Sequence, residues 1–431
     1  TEIYTLSLHD ALPISEIGWG TGSSATNLVG MTFNPDYKAV IASDPAKFPQ
    51  TPGTLPSNAS LAQVGKDFKL PQIWRSNIAV DVELPWSMVF TAEGIFSRDV
   101  NAVIQQNINE APYTGTLAGP DNRPYWGSST LAKVNSGISN AMELTNTNEG
   151  YQYSITGQLT KNFSNGLSGM LAYTYTEAKD VTSNPGSSAS SAWSSNTAVG
   201  SLNSPGLSWS NFATPHKLIG NISYRVEYAN NFATTISLVY QGYQTGRNSY
   251  TYSNDLNGDG NSSDLIYVPK SESELTFVNY TSGGNTMTAA EQASAFWNYV
   301  NNNEYLSSKK GTYAGRFGEI RPWLHRFDAK ILQDIYSNFG SEHKYTLQLS
   351  LDILNLGNMI NDSWGTYSYY PLASYDNIRP LTVVSRGSST AAPTFRLNAT
   401  SLDDFAKKTT VSKNISTSST WGALFGIRLI F

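Results

Sequence analysis

The chain has 431 residues, a net charge of −5, only 14% charged side chains and no cysteine. That charge density lies well below the roughly 25% of soluble domains, and nothing here builds a disulfide scaffold, a catalytic thiol or a basic nucleic-acid-binding stripe. Aromatics reach 12%, with 25 Tyr and 10 Trp, yet mean hydropathy is −0.31, because neutral polar residues stand where charges usually do.

The first segment, residues 1–15 (TEIYTLSLHDALPIS), looks like a translated sequencing adapter. The expectation is that it is non-native and that residues 16–431 are the protein proper, preceded in the complete gene by a signal peptide. Gly18, Gly20 and Gly22 form only a fragment of a glycine-rich loop, without the βαβ setting of a dinucleotide site. No run approaches 18 apolar residues, so no transmembrane helix is expected. A closed barrel is then the spanning structure that satisfies its own backbone hydrogen bonds.

From residue 78 onward the chain alternates. Ile78, Val80, Val82 and Leu84 share one strand face, as do Met88, Phe90, Ala92, Gly94 and Phe96. Over 151–163 every even position is polar. Leu218, Ile222, Tyr224, Val226 and Tyr228 repeat the pattern, and so do the odd positions of 345–353. With stretches at 134–144, 171–175, 236–240, 327–331, 379–385 and 394–399, period two predicts about a dozen strands. Charges such as Asp81, Glu83, Glu93, Arg225, Glu227, Asp328 and Lys330 fall on the polar faces, where a water-filled lumen would solvate them.

The connections fall into two classes. Those at 84–86, 162–166, 229–231 and 337–342 are tight and polar; those at 107–132, 179–212, 246–326 and after 355 are long. Short turns on one rim and long loops on the other suit an outer-membrane barrel. The short link at 145–150 spoils the alternation, implying a missed strand or a hairpin standing above the membrane. Within the longest loop, Thr288-Ala-Ala-Glu291 reads as a capping box ahead of a helix over 292–301, whose Phe296 and Trp297 would pack the loop. Trp193, Trp209, Trp364, Tyr367, Tyr369 and Tyr370 suit sugar or peptide contact at the surface, and equally rim packing.

Asp255, Asn257 and Asp259, followed by Gly260, Asn261 and Asp264, match the first half of an EF-hand calcium loop. The twelfth position is Ile266 rather than an acid, and no helix pair flanks the loop. Two readings stand: a calcium-clipped surface loop, or a polar loop of Asn-Gly and Asp-Gly turns. The four histidines, His9, His216, His325 and His343, lack metal spacing. No nucleophile elbow or other catalytic constellation is present, so no enzyme is expected.

The chain ends on Trp421, Ala423, Phe425, Ile427, Leu429 and Phe431, one apolar face of a final strand. This ending resembles the signal by which the barrel-assembly machinery recognises outer-membrane proteins. Three stretches carry a wider resemblance: Trp74-Arg-Ser-Asn77 through Phe96-Ser97; Thr214-Pro-His216 through Tyr228, with 254–261 and 264–269; and Trp323-Leu-His-Arg-Phe-Asp328 with Leu351-Asp-Ile-Leu-Asn-Leu-Gly-Asn358 and the C-terminal strand. Together they resemble the C-terminal barrel of Oar-like TonB-dependent receptors, Bacteroidetes outer-membrane proteins with a carboxypeptidase-regulatory-like N-terminal domain. That resemblance implies part of a barrel of about 22 strands with a plugged lumen. It implies transport of a bulky solute, with outer-membrane lipid as surroundings and the TonB system reached through an N-terminal plug and TonB box that this chain lacks. The alternative is a surface adhesin or scaffold with calcium-clipped loops.

Overall fold

The computed structural model describes residues 14–15, 59–338 and 344–431. Nine alternating stretches pair in sequence order as one antiparallel wall: β1 (Gln72–Leu84), β2 (Met88–Asn107), β3 (Tyr151–Asn162), β4 (Leu167–Asp180), β5 (His216–Tyr228), β6 (Phe232–Gln244), β7 (Trp323–Asn338), β8 (Lys344–Leu354) and β9 (Gly422–Ile430). The fold is all-β. The described turns on one rim are short: Pro85–Ser87, residues 163–166 and residues 229–231. On the opposite rim lie residues 108–150, 181–215, 245–322 and 355–421, the long connections. The expected turn at 337–342 lies mostly outside the described residues, as do His9, His343, Gly18, Gly20, Gly22 and most of the adapter-like segment; Ile14 and Ser15 pair with Ala62 and Leu61.

Directly opposite residues of paired strands share a face, so the register settles which side chains line up. One row runs Leu167, Tyr224, Ile236, Ile331, Leu351, Phe425 across six strands. Another runs Phe90, Leu159, Leu171, Gly220, Tyr240, Phe327. These rows are exposed rather than packed: Leu171 is 53% accessible, Ile236 53% and Phe425 69%. A continuous apolar face of this extent is unstable in water and stable against hydrocarbon. Aromatic residues bound it on both rims. Tyr228 and Phe232 stack at 5.8 Å near the short turns, and Tyr240 meets Phe327 at 4.9 Å on the other side. From Phe232 to Tyr240 a strand rises about 26 Å at roughly 3.3 Å per residue, comparable before tilt with the apolar band of about 25 Å in outer-membrane barrels.

The parity problem at 145–150 resolves in favour of a hairpin above the membrane. The strand Ile138–Thr147 and β3 both pair with β2, in one unbroken register: Asn107 faces Met142, Ala102 faces Thr147, Arg98 faces Tyr151 and Met88 faces Lys161. Between them the Asp99 amide donates to the Gly150 carbonyl at 2.9 Å. No turn exists there. At 20 residues, β2 is about twice as long as a bilayer requires, so its upper half stands clear with Ile138–Thr147 beside it.

The stretches at 379–385 and 394–399 also differ from expectation. They form strands, Asn377–Ser385 and Thr394–Leu397, but not in the wall. They join Arg247–Tyr252 in a separate sheet, which Asn377–Ser385 enters parallel to Arg247–Tyr252. Arg247–Tyr252 is buried on both faces and the other two mainly on one: Tyr250, Tyr252, Ile378, Leu381 and Leu397 are all fully buried. Leu256, Ile266, Val268, Phe296, Val300 and Phe395 complete their core. The long loops therefore fold together as one domain. Its main helix, α1 (Ala289–Asn302), begins at the expected capping box, with Thr288 and Glu291 each bonded to the other's backbone. A second helix, α2 (Leu402–Thr409), is capped by Ser401 and packs beside it.

Candidate functional site

Opposite the lipid rows, the wall carries ion pairs. Arg225 on β5 donates to Asp334 on β7 at 2.9 Å and lies 3.4 Å from Glu227. Gln348 on β8 donates to the other Asp334 oxygen at 2.8 Å. Lys330 pairs with Asp352 at 2.9 Å, and Arg326 with Asp328 at 3.0 Å. The period-two rule had placed these charges on the right face. Pairing replaces the expected simple solvation for these groups: Lys330 stands directly opposite Asp352, Arg225 reaches across β6 to Asp334, and Arg326 pairs with Asp328 two residues along its own strand. Asp81 on β1 accepts from Thr91 of β2.

On the lipid side, His216 and His325 join the upper aromatic rim. His216 lies 5.2 Å from Tyr175 and 6.1 Å from Trp323, and Trp323 stacks on His325 at 5.9 Å. Each imidazole Nδ1 meets a tyrosine hydroxyl, Tyr173 at 2.6 Å and Tyr240 at 2.7 Å. Both histidines lie in a belt of the kind that anchors a barrel at the membrane surface.

The acidic turn does bring Asp255, Asn257, Asp259, Asn261 and Asp264 together. Its oxygens are occupied by the turn's own amides. Asp255 accepts from Gly258 and Gly260, Asn257 from the Asp259 amide, Asp259 from Asn261, and Asp264 from Leu256 at 2.8 Å. Gly258 and Gly260 adopt positive φ, 83° and 94°, which the tight winding requires. Two guanidiniums complete the arrangement. Arg386 reaches Asp255 at 3.0 Å, and Arg123 bridges Asp264 at 3.2 Å and Asp121 at 2.7 Å. Burial together with the Asp264 and Asp255 charges pushes Asp259 up to about 8. Burial pushes Asp264 up to about 6, against the pull of Arg123. Among the described residues no group of three His, Cys, Asp or Glu is arranged to hold a metal ion.

Sequence reading missed the arginines that bind these loops to one another. Fully buried Arg123 has its burial penalty overruled by Asp121 and Asp264, which hold its proton above the ordinary value, and its guanidinium lies 5.2 Å from the Tyr252 ring centre. Arg316, also buried, reaches the Asp180 carboxylate at 3.1 Å and Asn196 at 2.8 Å. Each also reaches a partner more than a hundred residues away, Asp264 for Arg123 and Asn196 for Arg316, and no local pattern marks those contacts between loops. The surface aromatics divide. Trp193 and Tyr370 are buried, Trp209 stacks under Arg247 at 4.0 Å, while Trp364 and Tyr369 remain exposed.

The C-terminal strand lies along β8, with Leu429 opposite Leu347, Ile427 opposite Leu349, and Phe425 opposite Leu351. Phe425, Ile427, Leu429 and Phe431 all sit on the lipid face, and the Trp421 amide donates to Asn358 at the upper rim. A family model described as outer membrane beta barrel domain matches residues 14–364. No curated protein matches the chain.

Proposed function

Because the chain belongs to the outer membrane beta barrel domain family and resides in the outer membrane, we propose that it is part of a TonB-dependent receptor that moves a bulky solute. The observation that supports this reading is the pairing of a lipid-facing wall with a separately folded domain of loops on one rim. A solute would meet that domain first and then pass along the ion-paired inner face of the wall. The work is binding and displacement, with no bond chemistry and no nucleic-acid partner. Among the described residues, β1 pairs only with β2 and β9 only with β8; in lipid such edges need further strands. The apolar face of β9 is what we assign to the barrel-assembly machinery.

A structural calcium ion in the Asp255–Asp264 turn belongs to the same proposal. The raised Asp259 and Asp264 carboxylates are groups that a cation would bring back down, with Arg386 leaving Asp255 to make room. A surface adhesin or scaffold is the second reading, favoured by the compact loop domain. Planar-bilayer recording on the polypeptide encoded by the complete gene separates the two. A plugged receptor stays closed until mild denaturant releases the plug and then conducts reversibly. A barrel that stays silent at all denaturant concentrations below unfolding, or one that conducts at once, overturns the receptor reading.

A further inference from the structure

The loop domain holds a cleft of about 500 Å³ between α1 and α2, within the size range of small-molecule sites. Its floor is aromatic: Tyr299, Tyr370 and Phe405. The floor is also fixed. Tyr299 bonds the Tyr250 hydroxyl at 3.1 Å, Tyr370 donates to buried Glu319 at 2.9 Å, and Phe405 meets Tyr299 edge-on at 5.9 Å. Rings held this way need little ordering on binding.

The rim differs in kind. Asn298 and Asn302, one helical turn apart on α1, are exposed and make no side-chain hydrogen bond among the described residues. Each carboxamide offers two donors and an acceptor. Among the described residues no charged side chain lines the cleft. The nearest charges on α2 neutralise one another, Lys407 with Asp403 at 2.5 Å and Lys408 with Asp404 at 2.9 Å. An ionic ligand finds no counter-charge here. A pyranose has what the walls match: C–H groups for the apolar surface that Ala295, Tyr299, Leu402 and Ala406 present, and ring-edge hydroxyls that both donate and accept for the free amides.

We propose that the cleft between α1 and α2 binds a neutral, hydroxyl-rich ligand, a short saccharide. Delivery of that ligand into the cell rests on the receptor reading above; its binding does not. The test is saturation-transfer NMR and calorimetry on the whole chain in detergent micelles. The probes are neutral gluco-, manno- and galacto-oligosaccharides of two to six units, with a terminally blocked neutral peptide as competitor class. At least one saccharide series is expected to bind. Asn298→Ala with Asn302→Ala, at exposed positions where alanine favours the helix, should weaken it at least tenfold. Ala295→Trp, which fills the cleft, should do the same while leaving the far-ultraviolet circular dichroism and the thermal unfolding midpoint unchanged. No saccharide binding, binding indifferent to both variants, or binding of the peptide alone would overturn the assignment. Saccharide binding by a barrel that never opens in the bilayer assay would leave it standing and remove only the receptor reading.

Discussion

At Gly166 the wall tolerates no side chain. Its φ is 86°, and an added Cβ would lie 2.1 Å from the Arg225 carbonyl oxygen. The Arg225 amide already donates to the Gly166 carbonyl at 2.9 Å, which pins that approach. Gly166→Ala should therefore cost more than the roughly 1 kcal/mol of an ordinary left-handed substitution, seen as a lower heat-modification midpoint on gels; an unshifted midpoint would show that the turn relaxes. Asp259 and Asp264 carry a pH signature. Their folded pKa values are raised above the ordinary 3.8, to about 8 and about 6. The folded loop thus holds protons more tightly than the unfolded chain, so stability is full at low pH and is lost as pH rises through these values. Protease cleavage of the 255–264 loop should accelerate between pH 5 and pH 8.5, and Asp259→Asn should flatten the profile. Calcium, if it binds, should protect at pH 8.5 far more than at pH 5. Equal cleavage with and without chelator would remove the metal.

Among the elements, β7 and β8 show how much the sequence discloses. Period two places Ile331 and Leu351 on the lipid face, and the register sets them side by side between Ile236 and Phe425. Ile331→Arg should cost about 2–4 kcal/mol, the midplane value for a lipid-facing cation, and reduce folded barrel yield in vesicles. Ser350→Lys on the opposite face should leave the yield near that of the parent, and equal losses from the two would contradict the assigned faces. Wall strands were legible because one face meets lipid and the other water, which forces alternation. Asn377–Ser385 and Thr394–Leu397 were misplaced because they alternate too, with one face turned into the loop core instead of toward lipid. The link at 145–150 reads as a turn in sequence, yet its chain continues straight past Asp99. The capping box of α1 was legible because its determinants lie within four residues. The cleft was not, since α1 and α2 stand a hundred residues apart.

For the whole molecule, the stabilising apolar core belongs to the loops rather than to the wall. Phe395 is 1% exposed and stacks on fully buried Tyr252 at 5.3 Å. Phe395→Ala should cost about 3–5 kcal/mol, and should melt the loop domain as a unit while the wall keeps its resistance to detergent. Simultaneous loss of both would mean that they are one cooperative body. The parallel pairing of Ser249 with Asn377 carries a consequence for the order of events. Between these residues the chain descends through β7 and climbs back through β8, so their ladder cannot close until that hairpin has crossed the bilayer. Closing so large an excursion is slow for a chain free to wander, and quick once neighbouring strands have drawn its ends together. The cap is thus the last part to set, and its appearance at the cell surface reports that the strands beneath it are already in place.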